Sequence, residues 1–173
     1  NMTWDNLFCF KKGNKIDFSK LHGVIGIIGD NATGKSSIVD ILLYCLFNNS
    51  TRSSSRGRSN VQNSDIINNE SNYGIVDITI ENNNDKYRVF RSIEKKNKNN
   101  KISSVGTIQF YKNENCLNGD GNNDTEKNIR EVFGTLDDFL YTACFDQNNM
   151  QSFINSDARE RKQLFSRFLN ISK

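Results

Sequence analysis

A glycine-rich turn set between an apolar run and an uninterrupted helix-forming stretch constrains this chain more than any other feature in it. Val24-Ile25-Gly26-Ile27-Ile28 is short and continuously apolar, the pattern of a strand buried on both faces. It leads directly into Gly29-Asp30-Asn31-Ala32-Thr33-Gly34-Lys35-Ser36. From Lys35 to Phe47 there is no Gly or Pro. Ile38, Val39, Ile41, Leu42, Leu43, Cys45, Leu46 and Phe47 surround most of the circumference, which predicts a helix buried between layers. Gly29, Gly34, Lys35 and Ser36 meet the spacing GxxxxGK[ST]. Small residues there let successive backbone N–H groups converge on phosphate oxygens, and a helix starting at Lys35 adds its positive dipole end. Lys35 is placed to reach the β- and γ-phosphates, and the Ser36 hydroxyl to ligate Mg²⁺. The expected nucleotide-binding set is Gly29, Asp30, Asn31, Ala32, Thr33, Gly34, Lys35, Ser36 and Ser37.

The length of 173 residues suits about one domain. The longest apolar run, Ile41 to Phe47, is far short of the roughly 20 residues that a membrane span needs. No charged-then-apolar signal peptide opens the chain, and Asn1 precedes Met2, so the expectation is a segment of a longer protein. Cys9, Cys45, Cys116 and Cys144 are widely spaced with no CxxC pair, and two of them sit in apolar surroundings, which predicts reduced, buried thiols rather than a zinc site or disulfide scaffold. These features point to a soluble intracellular module without a membrane partner. A balance of 23 basic against 20 acidic residues, net +3, says little about partners, whereas local clusters say more. The 27 asparagines are read as polar filler in loops.

Trp4 to Phe10 is apolar enough for a first strand, and the alternation of Lys15 to Phe18 predicts its hairpin partner. Thr51 to Asn63 has no period and reads as a loop. Ile75 to Glu81 and Lys86 to Arg91 alternate about an Asn-Asn-Asn-Asp turn, an antiparallel hairpin. Glu94 to Ser104 reads as a charged loop, and Thr107 to Tyr111 as a strand paired near Cys116-Leu117. Asp124 is placed to cap a helix ending at Phe133, with Gly134 as its stop. Phe139 to Phe145 is a short buried strand or helix. Asp157 and Glu160 resemble a capping box opening a last helix over 157–173, with the stripe Leu164, Phe165, Phe168 and Leu169.

A P-loop also needs a carboxylate for the metal and a group to position attacking water. The nearest match to the usual carboxylate pattern is Ala143-Cys144-Phe145-Asp146, followed by Gln147 rather than Glu. No glycine-rich LSGGQ-like loop occurs, and the one histidine, His22, is expected in a surface connection. The chain thus holds half of a nucleotide site.

GDNATGKSSIVDILLYCLF, preceded by KIDF and an apolar strand, resembles the N-terminal ATPase segment of the SbcC-type, SMC-like ABC ATPases of double-strand-break repair. KYRVFRSI is similar to that family's Tyr-x-hydrophobic-x-Arg strand. CFDQNNMQSFINSDARERKQLFSRFLNI resembles its Q-loop and the helix entering a coiled coil, so the likeness spans the chain. The resemblance implies an α/β P-loop fold of ABC type: a mixed sheet around a buried P-loop helix, an antiparallel side sheet, and the N-terminal lobe only. It implies ATP as substrate, Mg²⁺ held by Ser36 and Gln147, and catalytic roles for Lys35 and Gln147, with Gln151 the alternative to Gln147. It implies as partners a C-terminal ATPase lobe, a second copy in a head-to-head dimer, an SbcD-like nuclease and double-stranded DNA. Action would be wherever the DNA is. The family usually has Gly at the position of Ala32, and Ala fits if its backbone is not left-handed. Two other readings remain at this stage: an SMC-type DNA-tethering head, and a compact P-loop kinase or hydrolase using Asp146.

Three basic clusters could contact a phosphate backbone without reading bases. The first is Arg52, Arg56 and Arg58. The second is Arg91, Lys95, Lys96, Lys98 and Lys101, and the third is Arg159, Arg161, Lys162 and Arg167 on the final helix.

Overall fold

Alternating burial along β-branched strands produces one antiparallel sheet with a single apolar face. The computed structural model describes residues 1–51, 63–98, 101–144, 157–159, 161–162 and 166. Two compact units divide the chain, Asn1–Val132 and Phe133–Lys173. In the first unit the strands are β1 (Met2–Asp5), β2 (Asn14–Ile16), β3 (Tyr73–Asn82), β4 (Asp85–Lys98), β5 (Lys101–Lys112) and β6 (Asn115–Cys116). Helix α1 spans Lys35–Phe47, α2 Asn63–Ile66 and α3 Asn122–Phe133. In the second unit, α4 spans Leu136–Thr142.

The sheet order is β2-β1-β3-β4-β5-β6, with every pairing antiparallel. Its register aligns Met2, Ile78, Val89 and Phe110 in one cross-strand row, and Trp4, Val76, Arg91 and Ile108 in the next. All eight side chains are buried. They face α1, which packs on β3 and β4 and contributes Ile41, Leu43, Tyr44, Cys45 and Leu46 to the same core. On α1 the residues Ile38, Val39, Leu42 and Phe47 are only half-buried, so the helix is covered on one side more than the other.

Several expectations hold at the level of single elements. The Asn82–Asp85 turn joins β3 to β4, with Asn83 and Asn84 at φ 49° and 71°, values Asn tolerates better than most residues. Gly134 at φ 78° stops α3. Thr135 then opens α4 with a capping box to Asp138, so Phe139 lies in a helix, but Phe139 and Leu140 are half-buried and Thr142 and Ala143 exposed rather than buried as expected. Of the cysteines, only Cys45 is buried; Cys9 and Cys116 are exposed, contrary to the buried-thiol reading.

Other expectations are corrected. The first strand stops at Asp5, because Asn6 and Phe8 take positive φ and leave Leu7 a lone bridge to Ile67. The supposed loop from Glu94 to Ser104 is the extended end of the β4–β5 hairpin, with Lys98 opposite Lys101. Polar and Asn-rich composition hid it, because ladder hydrogen bonds form whatever the side chains. The mixed central sheet is met only in its antiparallel part. Residues 24–28 make no β-pairing among the described residues, and Val24, Ile25, Ile27 and Ile28 are exposed. Apolar character there specifies burial, but a strand pairs only if a partner edge reaches it. The interior strands β1, β3, β4 and β5 are paired on both sides, and the open edges of β2 and β6 do not pair with residues 24–28. The final helix, 157–173, is described only at 157–159, 161–162 and 166, and all of these but 157 are helical.

Candidate nucleotide-binding site

The P-loop turns because two of its residues adopt left-handed backbone. Ala32 has φ 63° and Gly34 φ 95°. Glycine accepts this freely and alanine does not, so Ala32 carries strain that the Gly usual at this position would not. The condition on which Ala32 was expected to fit is therefore not met. At Gly34 the need is also steric: a Cβ would land on Cys9 Sγ and lie 3.4 Å from the Phe10 ring. Gly29 is tight as well, since a Cβ there would stand 3.0 Å from Thr33 Oγ1.

Gly34 is the N-cap of α1 and offers no side-chain cap. The N–H groups of Lys35 and Ser36 in the first turn of α1 are therefore left without an internal acceptor and point at the loop. Among the described residues no hydrogen bond is donated by the backbone N–H groups from Asp30 to Ser36. Lys35 folds back over the turn, its Nζ donating to Gly29 O at 2.7 Å and Asp30 O at 2.6 Å. Thr33 Oγ1 donates to Asp30 O at 2.8 Å and braces the same turn. Ser36 is exposed at the helix start. Ser37 is 1% exposed, its N–H donates to Gly34 O, and its hydroxyl lies 3.9 Å from Cys9 Sγ. This set fits a polyphosphate with its cation: convergent N–H donors, an ammonium on a long stem and one accessible hydroxyl, at a positive helix end.

The loop is backed by a segment that carries no local signature. Asn68 Nδ2 donates to Phe8 O at 2.9 Å and Phe10 O at 3.3 Å, and Asn68 N to Asn6 O at 2.9 Å. That latch presents Cys9 and Phe10 to Gly34. At the other end of α1, the carbonyl of Cys45 accepts from Arg91 Nε at 2.6 Å. Arg91 Nη1 pairs with Glu126 at 3.0 Å on α3, and the guanidinium lies 5.7 Å from the Tyr44 ring centroid. Asp40 Oδ1, in mid-helix, accepts from Thr51 N and Oγ1, each at 2.8 Å. No motif marks Asn68 or Asn6, since an isolated Asn in an Asn-rich chain carries no signal.

The remaining expected site residues divide into three groups. Arg52, Arg56 and Arg58, together with Asp146, Gln147 and Gln151, lie outside the described residues. Arg91 leaves the basic cluster, because it is 5% exposed and spent on Cys45 and Glu126. Lys95 is engaged by the loop before β3, its Nζ donating to Ser71 O at 3.0 Å, while Lys96 is exposed. Of Lys98 the register places only the backbone, opposite Lys101. Arg159, Arg161 and Lys162 are exposed, and His22 is exposed as expected. No group of three or more His, Cys, Asp or Glu side chains that could hold a metal occurs among the described residues. No described helix is long and apolar enough to cross a membrane.

The family model described as AAA domain matches residues 1–173. The chain belongs to that family. This AAA domain is also similar to curated relatives, which bears out the resemblance read from the sequence. It is 30% identical over 155 residues to a DNA double-strand break repair Rad50 ATPase of Thermoplasma volcanium, covering 87% of this chain and 16% of the relative. It is 25% identical over 173 residues to the C component of the nuclease SbcCD of Bacillus subtilis, covering 96% of this chain and 15% of that protein. An uncharacterized protein R555 of Acanthamoeba polyphaga mimivirus is 29% identical over 183 residues, covering 99% of the chain and 13% of the relative. The AAA domain thus spans about a seventh of the length of the curated relatives it matches.

Proposed function

We propose that this AAA domain is the ATP-binding lobe of an ABC-type head in a DNA double-strand-break repair ATPase of the Rad50 and SbcC kind. The carrying observation is a P-loop whose free N–H donors, Lys35 and Ser36 are assembled, next to an apolar segment, 24–28, that lacks a strand partner among the described residues. A nucleotide site preceded by an unpaired, exposed apolar segment calls for a second lobe to complete the central sheet. That lobe would bring the missing carboxylate and signature loop. Lys35 would move its ammonium from the Gly29 and Asp30 carbonyls to the β- and γ-phosphates, and the backbone N–H groups of the loop would orient them. Ser36, with Gln147 from the Q-loop, would hold Mg²⁺, which when bound neutralises charge on the transferring phosphoryl group.

Head-to-head engagement of two copies on ATP would then gate access of double-stranded DNA to an SbcD-like nuclease, inside the cell and with the DNA. Lys96 and Lys98 on the β4–β5 hairpin, with Arg52, Arg56 and Arg58, are the proposed backbone contacts. Lys95 is less suited, since its ammonium is engaged by Ser71. The test compares ATP turnover in the full-length protein with that of residues 1–173 alone. Turnover should appear only in the former and fall at least a hundredfold in Lys35→Ala. Lys35-dependent turnover by residues 1–173 alone would refute the split head and favour a compact enzyme using Asp146.

A further inference from the structure

Beside the P-loop, and sharing none of its residues, an open groove of about 360 Å³ is lined by Asn6, Lys11, Lys12, Asn68, Glu70 and Ser71. It lies between the turn that joins β1 to β2 and the loop that leads into β3. Most of its polar atoms are already satisfied within the fold. The Asn68 amide is spent on Phe8 and Phe10 and its Oδ1 on Glu70 N, while Ser71 Oγ donates to Tyr73 O. One buried donor among them is left over. Asn6 is 5% exposed, and its Nδ2 is a buried donor with no hydrogen-bond partner. Its main chain cannot swing that amide away, because Asn6 N donates to Lys11 O at 3.1 Å and Asn6 O accepts from Asn68 N at 2.9 Å.

Charge points the same way. Lys12 Nζ stands 5.4 Å from the Tyr73 ring centroid. Lys95 Nζ is drawn under the same loop by Ser71 O at 3.0 Å and Asn68 O at 3.5 Å, adding a third positive charge. Against these three ammoniums stand two carboxylates, Glu70 and, near Lys12, Asp5, whose Oδ1 already accepts from Gly13 N at 2.6 Å. Glu70 meets Lys11 at 2.7 Å, but both side chains are about seven-tenths exposed, so water and salt exchange readily with that pair. A buried donor left unsatisfied is unfavourable, and so is a cluster of like charges. A ligand that is anionic and offers several acceptors at once relieves both.

We propose that this groove binds a phosphate group, with Lys11 and Lys12 as its counter-charge, the Asn6 amide as its buried donor, and Glu70 as the group it displaces. The phosphate is either free or part of a DNA backbone, and the experiment separates the two. It uses the full-length protein carrying Lys35→Ala, so that the P-loop is silenced. Orthophosphate binding is measured by equilibrium dialysis at low ionic strength. Duplex DNA affinity is measured by fluorescence anisotropy over a range of salt.

Saturable phosphate binding should persist in the Lys35→Ala background. Adding Lys11→Ala with Lys12→Ala should weaken it at least tenfold, and adding Glu70→Gln should tighten it severalfold. Asn6→Ala should also weaken it, but the lysine and glutamate variants alter exposed side chains and keep the test decisive if Asn6→Ala misfolds. If the phosphate belongs to DNA, the double lysine variant also lowers the slope of log affinity against log salt by about two. An unchanged slope identifies free phosphate. Absence of saturable phosphate binding, or binding insensitive to both the lysine and the glutamate variants, overturns the site. Because the titration runs with the P-loop disabled, its failure leaves ATP binding at Gly29 to Ser36 standing, and failure of the latter leaves the groove standing.

Discussion

Arg91→Met should destabilise the first unit by about 3–5 kcal/mol, although the substitution keeps most of the side-chain volume. Three contacts are lost together. The Nε bond to Cys45 O, at 2.6 Å, satisfies a carbonyl in the last turn of α1, where intrahelical donors run out and a cation is favoured. A charge-assisted bond of this kind contributes about 1.5–3 kcal/mol. The Nη1 bond to Glu126, at 3.0 Å, compensates a carboxylate whose side chain is 18% exposed. Without Arg91 its remaining partner is Arg130 at 3.7 Å, itself 45% exposed and weak for that reason. Stacking on Tyr44 is forfeited as well.

The penalty is mainly that of stranding Glu126, so removing both charges should recover most of it. Arg91→Met with Glu126→Met should return to within about 1–2 kcal/mol of wild type, giving a coupling of at least about 2 kcal/mol, and more by whatever Glu126→Met costs alone. Urea unfolding followed by far-UV circular dichroism measures all four corners of the cycle, urea being chosen because guanidinium would screen the pair. Single variants that each cost under about 0.5 kcal/mol, or a double variant equal to their sum, would refute the account of Arg91 as the tie between α1, β4 and α3.

Two further outcomes follow from packing and burial. Gly34→Ala should lower nucleotide affinity at least tenfold, because the new Cβ meets Cys9 and the φ of 95° disfavours any side chain. Adding Cys9→Ala should restore part of the loss, and calorimetric titration showing wild-type affinity for Gly34→Ala alone would contradict the packing. Burial pushes the Cys45 thiol up to about 12, and burial likewise raises the Tyr44 phenol. In both, the folded state holds its proton longer than the unfolded chain, so their contribution is complete below pH 9. It is lost as pH rises from about 9 towards 12, by at most about 1.4 kcal/mol per pH unit per group. The urea midpoint should therefore fall between pH 9 and 11, more gently in Cys45→Ala. A midpoint constant over that interval would show that neither group titrates differently in the two states.

How much of this was legible beforehand depended on the range of the interaction involved. Lys35–Phe47 is a helix with the predicted bounds, because the absence of Gly and Pro and the presence of a glycine cap are properties of neighbours in sequence. The P-loop spacing, the Asn82–Asp85 turn and the stop at Gly134 were readable for the same reason: each is a demand on local φ and ψ that a few residue types meet cheaply. Ala32 shows the limit of that reasoning. Its residue type suggested an ordinary backbone, and the neighbouring turn imposed a left-handed one.

Tertiary structure alone decided everything that depended on a partner distant in sequence. Arg91 looked like one more charge in a basic run. It became a buried tie because the register sets it between Val76 and Ile108, under α1 and beside Glu126. Val24 to Ile28 looked like a buried strand, yet pairing needs an edge, and among the described residues no edge reaches it. Cys9, Asn68 and Asn6 acquired roles only when residues some sixty positions apart closed the latch behind the phosphate loop. A sequence states what each residue would favour in its own neighbourhood. Hydrogen-bond partners and burial are shared quantities, and only the folded chain assigns them.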